Sequence, residues 1–133
     1  MNEKEKEYLQ QWIIKAQDDF ITINRLTDGV VVATTSICFH CQQLVEKYLK
    51  MFLVYNKQEI VKTHEIEFLL FECSKIDKDF EDLDPKNLSD FGVAMRYPGD
   101  FYIPTIEEAL EYKALAFQIK DFIEKKVDIH QFL

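Results

Sequence analysis

Glycine and proline are scarce, three of each in 133 residues. A fold of many short strands consumes turn residues at every reversal, so the scarcity points to long helices with few interruptions. Gly29, Gly92 and Gly99 also stand far apart. That spacing excludes a glycine-rich phosphate loop and a dinucleotide fingerprint. Positive charge is in deficit, with a net charge of −8. A diffuse nucleic-acid binder needs surplus Lys and Arg to displace counterions. Any RNA contact therefore has to come from a local basic patch or from a partner chain. The acidic balance also predicts solubility and poor affinity for anionic membranes. Long apolar runs are missing too: Met51 to Tyr55 and Phe68 to Phe71 are far too short to cross a bilayer. The opening Met1-Asn2-Glu3-Lys4-Glu5-Lys6-Glu7 reads as charged helix rather than a signal peptide, so cytoplasmic residence is expected. Cysteine numbers only three, an odd count that argues for free thiols.

What the chain has is apolar residue at helical spacing. Forty-seven percent of it is hydrophobic, enough for one continuous core, and a single domain over residues 1–133 is expected. Leu9, Trp12, Ile13, Ala16, Phe20 and Ile23 recur at helical period, predicting a helix from about Glu3 to Leu26. Asp28-Gly29 reads as a turn, with the glycine in the left-handed conformation. A second helix is predicted from about Thr35 to Asn56, with Ile37, Cys41, Leu44, Tyr48, Met51, Phe52 and Tyr55 on its apolar face. A third should begin near Thr63 or His64 and bury Ile66, Leu69, Leu70, Cys73 and Ile76. Asp84-Pro85 fits the start of a shorter helix running to about Met95 or Arg96. Thr105-Ile106-Glu107-Glu108 fits a capping box that opens a last helix to about Val127. The expected architecture is all-α, an antiparallel up-and-down bundle of four main helices plus a short extra one. Phe132 and Leu133 are candidates to dock the C-terminus.

Beside the apolar face of the second helix runs a polar stripe of Ser36, His40, Gln43, Lys47 and Lys50. It could line a groove between helices. One reading is a pocket for a nucleotide or an RNA phosphate. The other is a satisfied polar seam, with lysine stems packed on apolar neighbours and Glu46–Lys50 as a helical i,i+4 pair. His40 could act as a base near neutral pH, but no carboxylate adjoins it in sequence. His64 reads as a helix-start residue or as a base. Arg96 and Tyr97 sit in a loop with Phe101 and Tyr102. Arg96 could clamp phosphate or cap the preceding helix, and the aromatics could stack a base or plug the bundle. Cys38 and Cys41 read as small core residues, because the second pair a structural zinc would need is missing. No metal and no cofactor is expected beyond a nucleotide ligand.

Phe39-His40-Cys41-Gln42-Gln43-Leu44-Val45-Glu46-Lys47-Tyr48-Leu49-Lys50, then Thr63-His64, then Arg96-Tyr97-Pro98 together resemble the HEPN domain family. The resemblance covers nearly the whole chain. It implies an all-α bundle that forms homodimers. It also implies pairing with a small nucleotidyltransferase in a toxin–antitoxin-like module. The expected role is thus a binding or interaction module with His40, Gln43, Lys47, Lys50, Arg96 and Tyr97 at its ligand face. Several branches of the family are metal-independent endoribonucleases that use an arginine followed, after four to six residues, by histidine. Here those positions after Arg96 hold Phe101, Tyr102 and Ile103, and after Arg25 they hold Val30, Val31 and Val32. An endoribonuclease toxin is the alternative and would need a variant site, with Arg96, His40 and His64 as its catalytic candidates.

Overall fold

The structure is a computed structural model and describes residues 1–60, 62–92 and 102–133. Four α-helices appear in chain order: α1 (Glu3–Thr27), α2 (Thr34–Tyr55), α3 (Ile66–Ser74) and α4 (Ile106–Glu124). Short 3-10 turns cover Lys78–Asp82, Leu88–Phe91 and Ile129–Phe132. There is no strand among the described residues, and the chain is all-helical as its composition implies. No helix among them is long and apolar enough to cross a membrane.

The helix ends follow from local chemistry. Asn2 caps α1 through a capping box, its Oδ1 accepting from the Glu5 amide at 2.8 Å. Thr105 does the same for α4, where its Oγ1 accepts from the Glu108 amide at 3.0 Å and the Glu108 carboxylate accepts from the Thr105 amide at 3.1 Å. After α2 the amide of Lys57 reaches the Val54 carbonyl and that of Gln58 the Leu53 carbonyl, both at 2.9 Å. This is a Schellman closure with Lys57, at φ 61°, in the left-handed position that usually selects glycine.

α2 is the central helix and packs against α1, α3 and α4. Its residues Ile37, Cys38, Cys41, Leu44, Val45, Leu49 and Met51 are buried to within one percent. Such burial stabilises by about 1.5–3 kcal/mol per large apolar side chain. α1 runs antiparallel to α2, with Asp19 opposite His40 and Lys47 and Trp12 further along beside Lys50. α4 is antiparallel to α1, since Thr27 meets Lys113 and Phe20 meets Phe117 and Lys120. The Tyr48 hydroxyl donates to Glu124 Oε1 at 2.6 Å and ties α2 to the end of α4. Phe80 fills the remaining space, with its ring 4.6 Å from that of Phe52 and 5.1 Å from that of Phe122. The C-terminal turn docks through Phe132, whose carbonyl accepts from Gln10 and whose ring stands edge-on to Tyr55. Leu133 stays exposed.

Several expectations need correction. α3 begins at Ile66, with Glu65 as its N-cap; His64 is held outside the helix by the contacts described below. α3 stops at Ser74, which leaves Ile76 exposed. Asp84-Pro85 does not open an α-helix. The Asp84 carboxylate accepts from the Lys86 amide, two residues on, and Lys86 turns left-handed at φ 50°. That residue takes the chain out of the helical region, and only the 3-10 turn Leu88–Phe91 follows within the described part. Gly29 is not left-handed either; α1 ends on Asp28 in the right-handed region.

Candidate functional site

The polar stripe of α2 is wider than the sequence suggests. At about 100° per residue the side chains follow one another around the helix as His40, Lys47, Gln43, Lys50, Glu46 and Gln42. This belt lies between α1 on one side and the connector ahead of α3 on the other, and two carboxylates organise it.

Asp19, from α1, is 5% exposed. Its Oδ1 lies 2.8 Å from His40 Nδ1 and its Oδ2 2.5 Å from Lys47 Nζ. Glu46, from α2 itself, is as deeply buried. Its Oε1 accepts from Gln42 Nε2 at 3.1 Å and faces His64 Nδ1 at 2.9 Å, while its Oε2 accepts from Lys50 Nζ at 3.1 Å. Gln42 Nε2 also donates to the His64 carbonyl at 3.0 Å, and Gln42 Oε1 accepts from Gln43 Nε2 at 2.7 Å. The connector is thereby pinned to α2 through both the side chain and the backbone of His64. Lys50 Nζ lies 5.6 Å from the centre of the Trp12 ring. Gly92 completes the wall: a Cβ there would stand 2.9 Å from Gln42 Cδ, so only glycine lets the chain pass so close to the amide.

A carboxylate beside Nδ1 fixes that nitrogen as the protonated one and leaves Nε2 as a lone-pair acceptor. Both histidines have this arrangement, and neither Nε2 has a hydrogen-bond partner among the described residues. His40 is partly exposed and His64 largely so. The ammonium groups of Lys47 and Lys50 are both engaged by carboxylates, so a ligand arriving from solvent meets the imidazoles first.

The structure thus brings His40, Gln43, Lys47, Lys50 and His64 into one belt, while Ser36 lies exposed at its edge. Arg96 and Tyr97 lie outside the described residues. Tyr102, from the same loop, is half exposed and its hydroxyl donates to the Glu108 carboxylate, so it does not plug the bundle. Asp19 and Gln42 are the residues sequence reasoning missed, and Glu46 was read only as a helical partner of Lys50. For Asp19 a signal existed: it sits three residues after Ala16 and four before Ile23, a charge on the apolar stripe of α1. Cys38, Cys41 and Cys73 are buried free thiols, as expected. Burial pushes the thiols of Cys38 and Cys73 up to about 12, and that of Cys41 upward as well. Protonated thiols are poor nucleophiles near neutral pH. No cluster of metal-ligating side chains occurs among the described residues.

The HEPN domain model matches residues 9–126. The chain belongs to the HEPN domain family. No curated protein and no solved structure matches it. The match takes in all of α2 and α3 and most of α1, so both carboxylate–histidine pairs lie within the HEPN domain.

Proposed function

We propose that this HEPN chain is a binding and interaction module, a homodimer that engages a nucleotide or a partner nucleotidyltransferase in a toxin–antitoxin-like system. One observation supports the ligand site: two imidazoles from separate elements, each anchored at Nδ1 on a buried carboxylate and each still partly exposed. Such a nitrogen accepts from a ribose hydroxyl or a base amine, and donates to phosphate once protonated. Gln43 is half-buried between them and adds an amide. Arg96 stands four residues beyond Gly92, against which Gln42 packs, and would supply the phosphate contact.

Calorimetry with ATP and the other ribonucleoside triphosphates tests this. Binding should be measurable below millimolar concentration and should weaken by roughly tenfold or more in His40→Ala, in His64→Ala and in Arg96→Ala. A native-host pull-down should recover a nucleotidyltransferase. Absence of both nucleotide binding and such a partner would end the proposal.

The same oriented imidazoles favour a second reading, an endoribonuclease with a variant site. There Nε2 of His40 or His64 would take the proton of a ribose 2′-hydroxyl as its oxygen attacks the adjacent phosphorus; the bond from phosphorus to the 5′-oxygen would break, that oxygen taking a proton from water or the other imidazole to leave a 2′,3′-cyclic phosphate, and Arg96 would meet the charge that develops on the phosphate. Expression would then arrest growth and fragment RNA, and Arg96→Ala would abolish both. Normal growth with intact RNA removes this reading.

A further inference from the structure

α1 and α4 meet only through long side chains. Phe20 and Phe117 have ring centres 4.9 Å apart, Lys120 lies 4.5 Å over Phe20, and Lys113 Nζ reaches Thr27 Oγ1 at 2.9 Å. On the outer side of this seam, Ile14 and Ile21 stand one heptad apart on α1, each a little over half exposed. Across the seam, Ile106 and Leu110 continue the row of α4 that carries Lys113 and Phe117, and both are about half exposed. Just past the end of α1, Val30 and Val31 project at 103% and 87% exposure. Single exposed aliphatics are ordinary, but four along one helix seam with two more at the end of α1 are not.

We propose that this α1–α4 face, with the Val30–Val31 tip, is where a second copy of the chain docks. The inference rests on the homodimer put forward above and gives it a surface. With ordinary residue areas, backbone included, the six residues expose on the order of 700 Å², against the ~800 Å² that each partner contributes to a standard interface. Each copy carries −8, so two copies approach best where the contact positions themselves are uncharged, and these six are aliphatic. The competing apolar spot, Phe68 and Phe71 on α3, is smaller and already partly covered, since Lys75 lies over the Phe71 ring and pairs with Glu72. Two antiparallel helices presented to their own two-fold image also form a four-helix layer, a self-complementary arrangement.

Sedimentation and light scattering on the full chain at roughly 100 µM test the assignment, with dimer affinity read from dilution. The wild type should weigh twice 15.8 kDa. Ile21→Glu and Leu110→Glu should weaken the dimer by roughly 100-fold or more with unchanged circular dichroism. Val31→Asp, in a loop, gives the same readout without touching a helix. Phe71→Glu should leave the dimer intact. A dimer that survives all three face variants, or one that dissociates only on Phe71→Glu, overturns the surface while the homodimer stands. A monomeric wild type overturns both.

Discussion

Glu46→Ala is the most informative single change. Glu46 meets three groups at once: the Lys50 ammonium, the His64 imidazole and the Gln42 amide. Lys50 has one acceptor among the described residues, Glu46, and otherwise lies over the Trp12 ring with its side chain 7% exposed. Alanine therefore strands a buried ammonium, a loss of about 3–5 kcal/mol for a broken buried pair. The cation–π contact offsets at most about 2 kcal/mol of that. A domain of this size holds about 5–15 kcal/mol in all, so the variant should lose a large part of its stability and melt roughly 10–15 °C lower. Lys50→Met is the contrasting case. It leaves Glu46 with two donors, His64 and Gln42, and puts an apolar chain of similar length beside Trp12, so it should cost about 1–2 kcal/mol. The double variant should be more stable than Glu46→Ala alone, because it removes the stranded charge. Urea unfolding followed by circular dichroism gives all three values and closes a double-mutant cycle. If Lys50→Met costs as much as Glu46→Ala, or the double variant is the weakest of the three, Glu46 is not the organising group of the belt.

Gly92→Ala should destabilise by about 1–3 kcal/mol, since the new Cβ meets the fully buried Gln42 amide at 2.9 Å; an unchanged denaturation midpoint would contradict that close approach. The three thiols should resist a disulfide reagent at pH 8 in the folded protein, because burial holds them protonated, and all three should react in denaturant. Rapid labelling of the native chain would contradict their burial. Tyr102 and Thr105 hold the Glu108 carboxyl below its ordinary 4.5. A depressed carboxyl adds stability that is fully present above 4.5 and is lost as pH falls through the lower folded value. Tyr102→Phe should raise the Glu108 titration in carbon-detected NMR and shrink that acid-side loss, and a titration curve left in place would refute the contact.

The helices were legible because they rest on local rules. Apolar period placed α1, α2 and α4 to within a residue or a few, and the Thr105–Glu108 capping box was readable letter by letter. The segment after α3 was not, because its geometry is decided by one left-handed residue, Lys86, that carries no glycine to announce it. The site was half legible for a similar reason. His40, Gln43, Lys47 and Lys50 lie on one helix, so their order follows from spacing alone. Their partner Asp19 comes from another helix 21 residues before His40. Glu46 and Lys50 looked like a solvated helical pair; α1 and the connector bearing His64 cover them and turn the same spacing into a buried charge pair.

That covering also decides what kind of ligand the belt can attract. Asp19 offsets Lys47 and Glu46 offsets Lys50, so the belt offers a polyanion no free ammonium, and the whole chain repels one at −8. Affinity for a long RNA scales with the counterions that free cations displace, and the logarithm falls by about 0.7 per phosphate contact for each tenfold rise in salt. If the belt is the nucleotide site proposed above, its neutralised cations leave ribose and base as the groups to bind, with Arg96 the phosphate contact of that proposal. Nucleotide affinity should then fall with a slope of about 0.7–1 against the logarithm of salt, as for a single phosphate contact. Calorimetry across a salt series reads that slope directly. A slope of three or more would mean that Lys47 and Lys50 leave their carboxylates to meet the ligand, and the belt would have to be redrawn as a set of ion pairs that opens on binding.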